Sequence, residues 1–308
     1  MNARLAPSPR TVAIVTGASR GLGQAFAHEL ASQCTHVLTL ARRAHADEQT
    51  TQIAAQHGCQ LQHIACDLSD ATPWAAVPEQ GQAWFQQFAT PQRGQAQTAN
   101  AAMFEPRKVA TANEQQPSQA ALNSQVPERY LLINNAGTLG PMAQYVGLAQ
   151  LGSESATIAQ AMNLNISAVI YLSSVFVHTA KSSHEAHSSV TPQIQVINIS
   201  SGAARKPYPG WAVYCASKAA LDRYSEVLQV EAPFAQIASI APGVLDTAMQ
   251  ADIRQSTAED FPNIQRFIDL HAEQALSSPL AVAKQILAYS LSPEFGQQTL
   301  QDIRLITP

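Results

Sequence analysis

Charge is sparse in this chain: Asp, Glu, Lys and Arg make up 13% of its 308 residues, against about 25% in an ordinary soluble domain. Eighteen basic and 22 acidic side chains leave a formal charge of −4. No basic tract stands out, which argues against a nucleic-acid partner. Cysteine is equally thin. Cys34, Cys59, Cys66 and Cys215 follow no metal-ligand spacing and are too few to staple a chain of this length, so reduced thiols and a cytoplasmic setting are expected. The nine histidines are scattered, with His184 and His187 in a polar stretch, and no metal site is expected. No apolar run approaches the roughly 18 residues of a spanning helix. The opening MNARLAPSPR leaves no room for a secretory signal before the first strand-like run, so no membrane partner is expected. The polar surface is supplied by glutamine, of which there are 33.

Strand-like apolar runs alternate with longer helix-like stretches. The strands read as Thr11–Thr16, His36–Ala41, Gln60–Cys66, Tyr130–Asn134, Ile194–Ser200, Gln236–Ile240 and about Thr299–Ile306. Most are continuously apolar, as in a parallel sheet covered on both faces. Helices are expected over Leu22–Gln33, Asp47–His57, Glu154–Ala180, Tyr214–Glu231 and Leu280–Leu291. The alternation predicts an α/β, Rossmann-type doubly wound parallel sheet in three layers, one domain over residues 1–308. One stretch breaks the rhythm: 62 residues separate Asp67 from Tyr130, where a crossover needs about 12 to 30. Trp74–Phe88 could supply the helix. About 90–126, rich in Gln, Ala, Thr, Asn and Pro, reads as a mobile polar surface insertion, with a partner-binding or substrate-covering flap as the rival.

The first strand runs into Thr16-Gly17-Ala18-Ser19-Arg20-Gly21-Leu22-Gly23, with an apolar helix pattern directly behind it. Glycines at 17, 21 and 23 permit a tight turn and close backbone approach, and a helix amino terminus offers free N–H groups to a pyrophosphate. Between a first strand and a first helix this pattern marks a dinucleotide site. The second strand ends Leu40-Ala41-Arg42-Arg43, with Arg42 nineteen positions after Gly23 and no acid before Asp47. An acid there would bind ribose hydroxyls; a guanidinium suits a 2′-phosphate instead. Arg20 could close on the same phosphate, so NADP(H) is the expected cofactor, unless both arginines merely solvate the strand end. Asp67, ending the third strand, either accepts from the adenine amino group or caps the next helix.

Thirteen residues after Ser201 comes Tyr214-Cys215-Ala216-Ser217-Lys218. Tyr214 and Lys218, at i and i+4, share a helix face. A phenol with a pKa near 10 gives up its proton sluggishly at neutrality, and a nearby ammonium would lower that value. Ser201, at a strand end, is placed to bond a carbonyl oxygen. Tyr208 and Trp211, between them, and Met249, after a Pro-Gly turn, are candidate substrate contacts; they could equally pack core or an oligomer interface. Cys215 reads as a packing filler, no His or acid being spaced to activate it.

Together Thr16–Gly23, Asn134-Asn135-Ala136-Gly137, Ser201, Tyr214/Lys218 and Pro242-Gly243 resemble the short-chain dehydrogenase/reductase family, in order and spacing, from about Val12 to Ile306 outside the insertion. The resemblance implies that Tyr214 is the general acid/base, that Lys218 tunes it and holds the nicotinamide ribose, and that Ser201 positions the carbonyl. It implies that Asn165, rather than its neighbour Asn163, supports a proton relay. Asn135 and Gly137 would line the cofactor crevice, with Pro242, Gly243 and Thr247 at the nicotinamide end. The carboxyl-terminal half resembles sepiapterin reductases and bacterial benzil-reducing enzymes in Leu131–Gly140, Pro209–Cys215 and Ala241–Gln250. Asp302 aligns with an acid that anchors a pterin. The expected activity is NADPH-dependent reduction of a small-molecule ketone or vicinal dicarbonyl, by a homodimer or homotetramer. A 3-oxoacyl-carrier reductase, a secondary-alcohol dehydrogenase and a non-enzymatic NADP(H) sensor stay open.

Overall fold

The structure is a computed structural model and describes residues 10–72, 126–185 and 191–306. The expected helix over Trp74–Phe88, the insertion at about 90–126 and His187 lie outside the described residues.

Seven strands form one parallel sheet in the order β3-β2-β1-β4-β5-β6-β7: β1 Thr11–Thr16, β2 His36–Ala41, β3 Gln60–Ala65, β4 Arg129–Asn134, β5 Gln193–Ile199, β6 Ala235–Ala241 and β7 Leu300–Asp302. Val12 lies opposite His36 on one side and Tyr130 on the other. Alternate residues of β1, β2, β4, β5 and β6 feed two cores. Ala13, Val15, Leu131, Ile133 and Ile197 pack with α1 (Gly21–Gln33) and α9 (Pro279–Ser290). Val12, Ile14, Tyr130, Leu132 and Val196 pack with α5 (Ala168–Glu185) and α6 (Ala212–Glu231). Strands buried on both faces must be apolar throughout, which explains the unbroken runs in the sequence. The expected three-layer Rossmann-type fold is present.

Asp47 stands just outside α2 (Glu48–His57), where its carboxylate accepts from Thr50 N as the helix cap. It also takes Gln24 Nε2 at 2.8 Å and His28 Nε2 at 2.9 Å, pinning α2 to α1.

Three expectations need correction. The helix expected over Glu154–Ala180 is several pieces: a tight turn at Gly152–Ser155, α4 (Ala156–Met162), a wide π turn at Asn163–Ser167, and α5. The last strand is shorter than expected, because the Asp302 carboxylate accepts from Arg304 N and starts a tight turn at Ile303–Leu305. The run Ala156–Glu185 is, by length and composition alone, long and apolar enough to cross a membrane. Its apolar residues Phe176, Val177 and Ala180 are buried against the sheet, and so are the polar Asn165 and Ser173, as in a core helix. Short helices over α3 (Tyr145–Ala149), α7 (Ala248–Arg254) and α8 (Ile264–Ala272) were not expected from the sequence pattern.

Candidate active site

All strands point their carboxyl ends to the same edge, and the order reverses between β1 and β4, where doubly wound sheets bind ligands. A cleft of about 880 Å³ opens there. Its walls include Gly17, Ser19, Arg20, Gly21 and Leu22 of the first turn, and Arg42 and Asp67 of the next two strand ends. Asn135 and Gly137 follow after β4. Ser201, Tyr208, Trp211, Tyr214 and Lys218, then Pro242, Gly243, Thr247, Met249 and Asp302, complete it. Gly23 and Asn165 stand one layer behind.

At one end the glycine turn is built for close approach. Gly17 has φ +67°, and a Cβ on it would lie 2.8 Å from Ala136 Cα. Asn135 Nδ2 donates to Thr16 O at 3.1 Å and Gly17 O at 3.3 Å, tying the turn to β4. No side chain caps the amino end of α1, so its first N–H groups are left for an anion. Arg20 and Arg42 are exposed on the cleft and make no ion pair among the described residues. Asp67 also faces the cleft, with Oδ1 taking Ser69 N at 2.9 Å and Ser69 Oγ at 2.7 Å. A pyrophosphate and a ribose phosphate therefore fit the residues present.

At the other end, Tyr214 lies in the first turn of α6 and is 7% exposed. Burial raises its pKa above the ordinary phenol value, and a hydrogen bond from Ser201 pulls the other way. The lowering expected from Lys218 is not seen. Lys218 Nζ sits 5.9 Å from the Tyr214 ring centre and donates to Ile199 O at 2.8 Å, so desolvation dominates the phenol. Burial brings Lys218 itself down to about 8, opposed by the charge of Asp222. Asp222 is buried and accepts from Ser200 Oγ at 2.6 Å, Ser239 Oγ at 2.7 Å and Arg205 Nε at 3.0 Å. Nothing in its sequence neighbourhood marked it.

Asn165 is fully buried in the π turn. Its Oδ1 accepts from Thr138 N at 2.9 Å, while Nδ2 donates to Thr138 O at 2.8 Å and Ser217 Oγ at 3.0 Å. A Cβ on Gly137 would lie 3.3 Å from Asn165 Oδ1 and 3.6 Å from Lys218 Nζ, so both side chains border one small space. Asn163 instead donates to Ser69 O.

Trp211 is less open than the stacking expectation needs. It is stacked on Phe261 at 4.4 Å and flanked by Tyr208, Tyr214 and Phe267. Asp302 reaches the cleft with its carboxylate engaged by Arg304, whose Nε donates at 2.8 Å. Half-buried Met249 packs beside this aromatic cluster. Arg205, Lys206, Arg266 and Arg304 also line the cleft; the sequence reading missed all four, which no spacing links.

A glycine-turn nucleotide cradle at one end of a cleft, and at the other a Ser–Tyr–Lys group with its phenol and amine buried, define a dinucleotide-dependent oxidoreductase fold. The chain belongs to the short-chain dehydrogenase/reductase family: the family model described as short chain dehydrogenase matches residues 11–90 and 89–258. It is 31% identical to a benzil reductase, (S)-benzoin forming, of Bacillus cereus, over 92% of this chain and 95% of that protein. To a sepiapterin reductase of Rattus norvegicus it is 30% identical, over 80% of this chain and 79% of that one. The crystal structure of the KRED1-Pglu enzyme shares the fold, with a TM-score of 0.66 at 24% identity, covering 94% of this chain and 99% of that one. The chain is thus an oxidoreductase of a family that uses nicotinamide cofactors.

Proposed function

We propose that this protein is an NADPH-dependent carbonyl reductase acting on a ketone or vicinal dicarbonyl of the sepiapterin or benzil kind. The observation that carries the reading is that buried Tyr214 and Lys218 stand with half-buried Ser201 in the wall of a cleft whose far end holds Arg20 and Arg42, which make no ion pair among the described residues. The cofactor, when bound, supplies the hydride. Ser201 holds the carbonyl oxygen, and Tyr214 Oη gives that oxygen its proton. A phenol pKa raised by burial keeps the proton in place until it is needed. Lys218 balances the phenolate charge as it forms. Asn165 holds the Thr138 backbone and borders the space through which a proton returns to Tyr214. Gly17, Ser19, Gly21, Leu22 and Gly23 seat the pyrophosphate; Asn135, Gly137, Pro242, Gly243 and Thr247 border the nicotinamide half. The protein works in the cytoplasm as a homodimer or homotetramer paired through α5 and α6. Ile170, Val227 and Val230, at 41%, 44% and 81% exposure on those helices, support that pairing.

Arg42 and Arg20 are assigned to the 2′-phosphate. Arg42→Asp should cut the preference for NADPH over NADH by roughly 10- to 100-fold, the worth of one charge-assisted contact; an unchanged ratio of kcat/KM values removes Arg42 from this role. The reading itself is tested by following NADPH oxidation with a diketone panel that includes benzil and sepiapterin.

Lys218 carries a further prediction. Its charge disappears above about pH 8, so kcat/KM for reduction should fall on that alkaline side. Asp222→Asn removes the carboxylate that raises Lys218 and should move the limb to lower pH. A limb that stays put in the folded variant belongs to another group.

A further inference from the structure

We propose that the carbonyl substrate carries an anionic group, a carboxylate in the first instance, and that Arg266 reads it. The inference rests on the carbonyl-reductase reading and adds a substrate class to it.

The cleft end beyond Tyr214 is assembled from three separate stretches: the turn after Ser201, helix α8 and the end of β7. They bring Arg205, Lys206, Arg266 and Arg304 to its walls. The carboxylates lining the cleft are Asp67 below the glycine turn, Asp302, and Glu154 in the stretch with Thr157 and Gln160. Asp302 is engaged by Arg304, with Nε at 2.8 Å and the backbone N at 3.1 Å. Arg205 is engaged by Asp222 at 3.0 Å and by Gln301 O at 3.2 Å. Arg266 has no carboxylate partner among the described residues. Its Nη1 donates to the Tyr208 hydroxyl at 3.2 Å.

The spacing suits a substrate. Tyr208 lies 5.2 Å from Trp211, and Trp211 lies 5.6 Å from Tyr214, ring centre to ring centre. A molecule with its carbonyl at the Tyr214 phenol can extend along this wall to place its anion at Arg266. A purely hydrocarbon diketone would leave Arg266 without an anion to meet, in a wall whose other arginines, Arg205 and Arg304, already hold carboxylates.

The test compares benzil, 4-carboxybenzil and the methyl ester of 4-carboxybenzil as substrates, and as ligands by calorimetry in the presence of NADP⁺. The acid should exceed its ester in kcat/KM by tenfold or more at low salt, and the advantage should shrink as salt screens it. Arg266→Ala should lower kcat/KM for the acid at least tenfold more than for the ester, with Arg266→Lys recovering part of the difference. Arg266 is exposed, so the variant keeps its fold. Equal handling of acid and ester, or equal losses in the variant, overturns the anionic site while leaving the reductase reading intact. Preferential binding of the acid without turnover of any compound overturns the reductase reading and keeps the site.

Discussion

Tyr214→Phe should abolish carbonyl reduction, lowering kcat by about a thousandfold or more, while NADPH binds with near-normal affinity. A positioned general acid contributes about 10²- to 10⁴-fold, and here no other side chain stands ready to replace the phenol. Ser201 holds its own hydroxyl against Tyr214 and Ala203 N. Lys218 is turned to Ile199 O. The substitution removes one oxygen from a ring packed edge-on against Trp211 at 5.6 Å, so the cleft wall keeps its shape. Cofactor titration and single-turnover kinetics on the same sample separate binding from chemistry. A variant that still turns over at near-native rate removes the phenol from the reaction.

Gly23→Ala should be as damaging for a different reason. A Cβ at this position would lie 2.2 Å from Gly17 O and 2.8 Å from Gly17 C, both backbone atoms that cannot swing aside. It would also meet Asn135 Nδ2 at 2.3 Å, an amide already tied to Thr16 O and Gly17 O. Helix α1 must then retreat from the turn that its first N–H groups serve. Overpacking of this kind costs about 1–3 kcal/mol, and the displaced helix end should weaken NADPH binding by about a hundredfold or more. Gly202→Ala is the control: nothing lies within 4 Å of a Cβ there, and its melting temperature should match the parent. Thermal unfolding with and without NADPH reads both effects; a Gly23→Ala protein that binds NADPH normally shows that α1 and the turn do not need this contact.

Much of this molecule was legible in one dimension. Strands β1 and β2 fall where the runs Thr11–Thr16 and His36–Ala41 begin and end, because strands covered on both faces read as near-continuous apolar runs. The glycine turn and the Tyr214/Lys218 pair are local: their geometry depends on residues a few positions apart. The pair's burial beside Ser201 follows from β5 and α6 being consecutive around the same sheet edge.

Only packing decided the rest. The π turn that carries Asn165 inward has no local signature, and it forms where Thr138 and Ser217, distant in the chain, offer that amide its bonds. Asn134, Ser173, Asn198 and Ser225 run as one hydrogen-bonded row through the sheet, linking α5 to α6 across β4 and β5. The sequence shows them as four unrelated polar residues. Asp302 looked free to hold a substrate until the turn after β7 brought Arg304 onto it. Arg205, Arg266 and Arg304 meet at the cleft from far apart in the chain. Periodicity and glycine spacing encode what neighbours along the backbone can do. Which charges share a wall depends on which helix lies on which face of the sheet, and that is settled only when both cores close.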